Sequence, residues 1–569
     1  MAGDASGTVN IAARLAVMAD RMPDAVAVVE PLDYDRQGRR RYRQMTFREL
    51  SVDSDRIACG LRRLGVVPGT RLALLVRPGV DFVSLVFALY KVGATIILID
   101  PGMGRKNLIH CLQAAEPEGF VAISMVQAVR AALRHRFPRA KKNVTVGRRW
   151  FWGGATLEQL RLRPHEGPEL AVTRADDPAA IIFTTGSTGP PKGVEYSHGN
   201  FDAQVEQIRD FYGIREGEID VPGFPLFGLF NCAMGVTAVI PDMDPTRPAQ
   251  VDPEKFIEAV GDWKATQSFG SPAIWNQVGR YCEKTGTRLP TLRRVLSAGA
   301  PVPAHVLRRM KACIHPEGDI HTPYGATESL PVASIAASEI LTETAAKTDR
   351  GAGVCVGRKF SRIEWKIIRV TDGPVPMLQD AKALPSGEIG ELIVTGPVVT
   401  RRYATRTESN ALGKIIDGDR IWHRMGDVGY LDDRERFWFC GRMAHRVQTS
   451  VGPKYTIPCE AIVNCHDDVY RSALVGVGEP GSQRPVMIVE PHAERLPRDA
   501  ASRERLLDEV RGLASANPLT ADIGAFLIHP SFPVDIRHNA KIFREKLAVW
   551  AAEQLRESGA GQGGRLLVG

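Results

Sequence analysis

Apolar residues along this chain fall into short β-rich runs separated by longer segments in which they recur at helical spacing. Residues 71–76, 95–99 and 180–183 are runs of the first kind. Their alternation with helix-like segments predicts parallel sheets flanked by helices, an α/β fold. Phe201, Val205, Ile208 and Phe211 share one face of a predicted helix, and Asn200 ahead of them is a residue type that caps helices. Near the C-terminus, 472–477 reads as a strand and 501–514 as a helix. Beyond Glu557, Ser-Gly-Ala-Gly-Gln-Gly-Gly reads as a flexible tail. No internal repeat is evident, and 569 residues exceed one ordinary core, so at least two domains are expected.

The most informative stretch follows the strand-like run 179–183. It reads Thr184-Thr185-Gly186-Ser187-Thr188-Gly189-Pro190-Pro191-Lys192-Gly193. Glycine lets the backbone turn tightly and bring its N–H groups to an anion. The hydroxyls add donors and Lys192 adds a positive charge, so the loop suits a polyphosphate. It is not the Walker pattern, because here the lysine stands between Pro191 and Gly193.

This loop resembles the phosphate-binding signature of the adenylate-forming superfamily, which spans acyl-CoA synthetases, luciferases and peptide-synthetase adenylation domains. Further motifs of that family follow in its order. Ser297-Ala298-Gly299-Ala300-Pro301 is similar to its adenine-contacting turn, and Tyr324-Gly325-Ala326-Thr327-Glu328 to its Tyr-Gly-x-Thr-Glu element. Gly387-Glu388-Ile389-Gly390-Glu391-Leu392, Gly426-Asp427, Gly441-Arg442 and Asn539-Ala540-Lys541 complete the set. The resemblance covers roughly residues 10–555. It implies a large multi-sheet N-terminal adenylation domain over 1–440, a hinge at 441–446, and a small α+β C-terminal lid domain over 447–569.

The resemblance also implies the chemistry. A carboxylate that attacks the α-phosphorus of ATP becomes an acyl-adenylate with AMP as its leaving group, a step that depends on positioning and charge neutralisation. ATP and Mg²⁺ are the implied cofactors. Thr184, Thr185, Gly186, Ser187, Thr188, Gly189 and Lys192 would hold the β- and γ-phosphates. Glu328 would hold Mg²⁺, with Thr327 near the α-phosphate. Tyr324 with Gly299, Ala300 and Pro301 would enclose adenine, and Asp427 with Arg442 would take the ribose hydroxyls. Lys541 would bridge the α-phosphate and the substrate carboxylate.

Two positions depart from the family pattern. Acyl-CoA synthetases usually carry Pro-x-Phe-His at the mouth of the acyl pocket, and Gly228 stands where the histidine would be. The hinge Gly-Arg-x is usually followed by Asp or Lys, and Ala444 stands there; Gly452, by the family's pantetheine tunnel, is retained. Phe224, Phe227, Phe230, Phe269 and Gly270 make an apolar candidate acyl pocket, which favours an aliphatic acid over an amino acid; the alternative is that these aromatics belong to the core. The text around Tyr324 looks closest to the β-lactone synthetases of bacterial long-chain olefin biosynthesis. That subgroup adenylates a 2-alkyl-3-hydroxy acid, whose own hydroxyl then displaces AMP. A long-chain fatty-acid–CoA ligase is the alternative reading, and a non-catalytic nucleotide or lipid sensor the third.

Bulk properties fit a large soluble enzyme. No apolar run reaches the ~18–20 residues that span a bilayer, and the N-terminus lacks the regions of a signal peptide. The nine cysteines form no Cys-x-x-Cys pair, which points to a reduced cytoplasmic setting. The net charge of +8 is partly clustered, at 36–43 and from Arg130 to Arg149. These clusters read as solvated faces, with a membrane surface or an acidic partner as the functional alternative and nucleic acid not expected. The implied partners are a long-chain hydroxy-acid substrate and other enzymes of the same pathway.

Overall fold

The computed structural model describes residues 8–162, 170–184, 190–224, 226–534 and 542–563. Its fold is α/β, with a large N-terminal body and a smaller C-terminal region. One seven-stranded sheet has the spatial order Ala155–Thr156, Val144–Val146, Gly119–Ile123, Arg71–Leu75, Thr95–Leu98, Pro178–Phe183 and Gly193–Ser197. All its pairs are parallel except the last, where the chain reverses after Phe183. In a second, nine-stranded sheet, Ile219–Pro222, Gln267–Gly270, Arg294–Ser297 and Asp319–Ala326 lie parallel side by side, and Ser329–Ala336 folds back as a hairpin on the last of them.

The helix Val80–Lys91 shows why the body has its layered form. Every residue in it except Asp81 is buried, so it serves as core rather than as an amphipathic cover. Its one buried cation, Lys91, is offset by Asp55 at 2.8 Å. A third sheet places Val354–Cys355, Phe437–Arg442, Arg420–Leu431, Gly390–Thr395 and Glu364–Ile368 in order, with Lys414–Asp417 also on Arg420–Leu431. Two of these strands are locked by a buried ion pair in which Arg424 reaches Glu391 at 2.6 Å. Burial pushes the Glu391 carboxyl up, with Arg424 opposing, and Arg424 spends its other donors on the carbonyls of Gly373 and Thr371.

From Val447 onward the chain forms a hairpin, Val447–Thr449 with Gly452–Lys454, and a three-stranded sheet of Val469–Val477, Arg484–Pro491 and Ala525–Ile528. Alternation along the strands divides its two faces. Leu474, Met487 and Val489 pack with Leu506 and Val510, while Ala473, Val475 and Ile488 pack with Leu547 and Ala551. Eight of the nine cysteines are buried. Cys465 is exposed, with its thiol 3.6 Å from the carbonyl of Asp349 in the N-terminal body. No helix among the described residues is long and apolar enough to cross a membrane.

Three local expectations change. The predicted helix starts earlier, at His198, and Ser197 is its cap; Asn200 completes a capping box by accepting from the Ser197 N–H. Phe201, Val205 and Ile208 are buried, but Phe211 is 41% exposed and stacks on Phe360 at 4.2 Å. The terminal helix Arg544–Gly563 continues past Glu557 through residues read as a flexible tail. Its first turns are seated by Leu547 and Ala551, which removes the cost of nucleation for the residues that follow.

Asp220 is a buried carboxyl on the strand Ile219–Pro222. Its Oδ2 accepts from Asn231 at 2.6 Å, and its Oδ1 has no partner among the described residues. Burial raises it to about 7, with Asn231 opposing. Between about pH 4 and 7 the folded chain therefore holds a proton that the unfolded chain has released. Stability falls as pH rises through this window, by at most about 1.4 kcal/mol per pH unit. Asp220→Asn should flatten this part of the curve of melting temperature against pH; parallel curves for the two proteins would contradict the assignment.

Candidate active site

The candidate residues come from three sheets; Thr184 and the 299–301 turn lie at the carboxyl ends of parallel strands, where α/β sheets bind ligands. Thr184 directly follows Pro178–Phe183, and the loop that begins there is closed by a pair of contacts. The Thr184 N–H donates to the Lys192 carbonyl at 3.0 Å, and the Lys192 N–H donates to Thr184 Oγ1 at 3.3 Å. Thr185, Gly186, Ser187, Thr188 and Gly189 lie outside the described residues. At the loop's exit the Gly193 N–H donates to Thr405 Oγ1 at 2.8 Å.

In the nine-stranded sheet, the turn with Gly299, Ala300 and Pro301 leaves Arg294–Ser297, beside the strand that carries Tyr324. Thr327 and Glu328 form the two-residue turn of the hairpin that joins Ala326 to Ser329. Gly325 is required there, because a Cβ would lie 2.6 Å from the Ser329 carbonyl oxygen. Both turn carbonyls are clamped. The Tyr196 hydroxyl donates to that of Thr327, and Thr400 donates its N–H (2.9 Å) and its hydroxyl (3.0 Å) to that of Glu328.

Asp427 and Arg442 face each other on paired antiparallel strands. Arg442 Nη1 donates to Asp427 Oδ1 at 2.8 Å and to the Met425 carbonyl at 2.9 Å, while the Tyr324 hydroxyl donates to Asp427 Oδ2. Burial pushes the Asp427 carboxyl up; Arg442 and Tyr324 oppose it. Tyr324, Asp427 and Arg442 thus form one hydrogen-bonded group. Just beyond it, Met443–His445 is a short 3-10 turn with Ala444 exposed. Lys541 lies outside the described residues. Nearby, Arg544 fixes the start of the last helix by a buried contact to both oxygens of Glu460, each at 2.7 Å.

Around Glu328 the structure adds residues that the motifs did not indicate. The Tyr403 hydroxyl donates to Glu328 Oε1 at 2.8 Å, and Lys192 Nζ lies 5.0 Å above the Tyr403 ring. Lys414 lies 5.7 Å from the same ring, with its ammonium donating to the carbonyl and hydroxyl of Thr400. Burial lowers Lys414 to about 7, with Glu328 opposing. Burial lowers His423 to about 3, and its Nδ1 meets the Gly413 carbonyl at 2.9 Å; a carbonyl only accepts, so Nδ1 carries the proton. Burial favours the neutral form of Glu328, yet His423, Tyr403 and Lys414 hold its carboxyl below the usual range. Sequence carried little signal for this group, since Tyr403, Lys414 and His423 are remote from Glu328 along the chain.

The aromatic candidates also meet. Phe227 stacks on Phe269 at 3.7 Å, Phe230 lies 5.7 Å and Phe224 6.5 Å from Phe227. Gly270 ends its strand by accepting from the Ala298 N–H at 3.2 Å. At Gly228 a Cβ would meet Val83 at 3.4 Å, so an alanine-sized group fits, while a longer side chain requires movement.

Tyr403→Phe keeps the ring beneath Lys192 and removes only the hydrogen bond to Glu328. A lost bond to a charged group costs about 1.5–3 kcal/mol. The variant should therefore be less stable by about that amount, read as a lower midpoint of denaturant unfolding. An unchanged midpoint would limit Tyr403 to packing.

The chain is similar to known proteins along most of its length. The profile of the family described as AMP-binding enzyme matches residues 15–404. An olefin beta-lactone synthetase of Xanthomonas campestris pv. campestris is 46% identical over 553 residues, 96% of this chain and 98% of that protein. An olefin beta-lactone synthetase of Stenotrophomonas maltophilia is 45% identical over 562 residues, 96% of this chain and 99% of that protein. The fold is shared with the amide bond synthetase McbA from Marinactinospora thermotolerans, at a TM-score of 0.75 and 21% identity, covering 95% of this chain and 99% of that one. With a family match over most of its length and relatives alike from end to end, the chain belongs to the AMP-binding enzyme family of adenylate-forming ligases.

Proposed function

We propose that the chain is a β-lactone synthetase that activates a long-chain 2-alkyl-3-hydroxy acid with ATP. The observation that carries this reading is its near-full-length similarity to two proteins bearing that name. In the first step a carboxylate oxygen attacks the α-phosphorus and pyrophosphate leaves. In the second the substrate's 3-hydroxyl oxygen attacks the activated carbonyl carbon and gives up its proton, and AMP departs as the four-membered ring closes. The second nucleophile is internal to the substrate, so proximity provides a high effective concentration. Gly228 and Ala444 fit this reading, because neither supplies the polar group associated with thioester formation.

The residue roles follow as part of the proposal. Lys192 and Thr184 steady the outer phosphates with 185–189, Tyr324 and 299–301 enclose the adenine, and Asp427 with Arg442 accepts the ribose. Thr327 lies by the α-phosphate. Glu328 fits a Mg²⁺ ion as a hard oxygen donor held ionised: Tyr403 occupies Oε1, and no group among the described residues bonds Oε2. No cluster of three acidic, His or Cys ligands forms among the described residues, so a Mg²⁺ ion at Glu328 would take most of its coordination from phosphate and water. When bound, that ion would neutralise phosphate charge. Phe224, Phe227, Phe230, Phe269 and Gly270 border the acyl chain. Residues 441–446 act as a hinge between the body 1–440 and the lid 447–569. The protein works in the cytoplasm alongside other enzymes of hydrocarbon synthesis.

Product analysis separates this reading from a CoA ligase. A 2-alkyl-3-hydroxy acid should give β-lactone, AMP and pyrophosphate at full rate without coenzyme A, while an unsubstituted fatty acid should stall as bound adenylate. Rapid coenzyme A-dependent turnover of simple fatty acids with no lactone would overturn it, and ADP as the stoichiometric product would remove adenylation altogether. Lys541→Ala should reduce turnover by about 10²–10³ while leaving ATP affinity nearly unchanged; near-normal turnover would displace Lys541 from its proposed role.

A further inference from the structure

The proposed reaction leaves the basic stretch between Arg130 and Arg149 without a role. Residues 125–162 hold nine Arg and Lys against one acid, Glu158, in a chain whose net charge is +8. The structure adds an apolar component to that charge. Trp150 is 60% and Phe151 80% exposed at the tip of a loop between Val144–Val146 and Ala155–Thr156. On the helix Ser124–Ala132, Met125 and Val129, one turn apart, are 68% and 51% exposed.

The loop does not fold its aromatics inward, because its backbone is fixed to that helix. Ser124 Oγ donates to the Arg148 carbonyl at 2.6 Å, and Arg130 Nη2 donates to the Trp152 carbonyl at 3.4 Å. Trp152 is half-buried, with its indole N–H donating to Thr145 at 3.0 Å. Trp150 and Phe151 are therefore held out in water beside Arg148 and Arg149. Arg134, Arg136 and Lys141 are also exposed, and none has an ion-pair partner among the described residues.

We infer that this surface docks the enzyme on an anionic phospholipid bilayer. Exposed aromatic side chains partition into the headgroup region, and clustered Arg and Lys follow the negative surface potential. A second copy of the chain is a poor occupant, since apposing two such faces brings like charges together. The strands beneath this surface lie at the opposite side of the seven-stranded sheet from Pro178–Phe183 and the phosphate loop. Four strand spacings separate them, roughly 19 Å, so a docked bilayer leaves the candidate active site clear.

Flotation of the full chain with vesicles tests this. Binding to phosphatidylglycerol-containing vesicles should exceed binding to phosphatidylcholine alone, weaken with salt, and fall by about tenfold or more in Arg148→Glu/Arg149→Glu. Trp150→Ser/Phe151→Ser should bind equally weakly, with melting temperature and pyrophosphate release from a water-soluble acid unchanged. Brominated lipid should quench wild-type tryptophan fluorescence more than that of Trp150→Phe. Equal binding to neutral vesicles, absence of binding to anionic ones, or variants that bind as wild type would overturn the inference; an anionic protein that binds this face while vesicles do not would assign the surface to that partner class instead.

Discussion

A single buried carboxylate, Asp427, holds the candidate site together. It sits in the six-stranded sheet, accepts the Tyr324 hydroxyl from the nine-stranded sheet, and pairs with Arg442 at the end of the strand leading to residues 443–446. A buried charge is tolerated only with partners of this kind, and loss of one partner leaves the other exposed to the full desolvation cost. Its own position is set upstream by the Arg424–Glu391 pair, whose arginine also holds two carbonyls of the 371–373 segment. Buried charge pairs thus recur along the strand Arg420–Leu431, at Arg424 with Glu391 and at Asp427 with Arg442.

A second clamp governs the side of Glu328 and Lys192. The segment 400–405 touches the hairpin carbonyl of Glu328 through Thr400, the Glu328 carboxylate through Tyr403, and the phosphate-loop exit through Thr405. One short segment therefore fixes the spacing between the loop's lysine and the acidic residue opposite it. Lys192 and Lys414 both lie within 6 Å of the Tyr403 ring, and Lys414 with the Tyr403 hydrogen bond favours ionisation of the Glu328 carboxylate.

Legibility in the sequence followed locality. The Tyr324–Glu328 element is a run of adjacent residues whose types are restricted by a tight turn and by the close approach of Gly325 to the Ser329 carbonyl, and the α/β alternation is visible in the short apolar runs. The Tyr403, Lys414 and His423 group was not, because its meaning arises only when strands far apart in sequence are paired; a lone Lys or Tyr in such a strand reads as surface or core. Ser197 was passed over as a cap for Asn200, since both residue types satisfy helix N-termini and only the observed backbone angles tell them apart. Phe211 fitted the helical spacing but lies at the margin of the buried face. The glycine-rich end read as tail on composition, whereas its helical course depends on Leu547 and Ala551 upstream.

The distribution of thiols has a practical consequence. Eight cysteines are buried, and Cys465 alone is exposed, on the C-terminal side of the seam and in contact with Asp349 across it. Burial and Asp349 raise its thiol above the ordinary range, so maleimide dyes would attach slowly at neutral pH and faster in mild alkali. The unaltered protein therefore accepts one label at one known place, beside Asp349 of the N-terminal body. The eight hidden thiols would react only as the fold opens, giving a second and slower signal that counts unfolding.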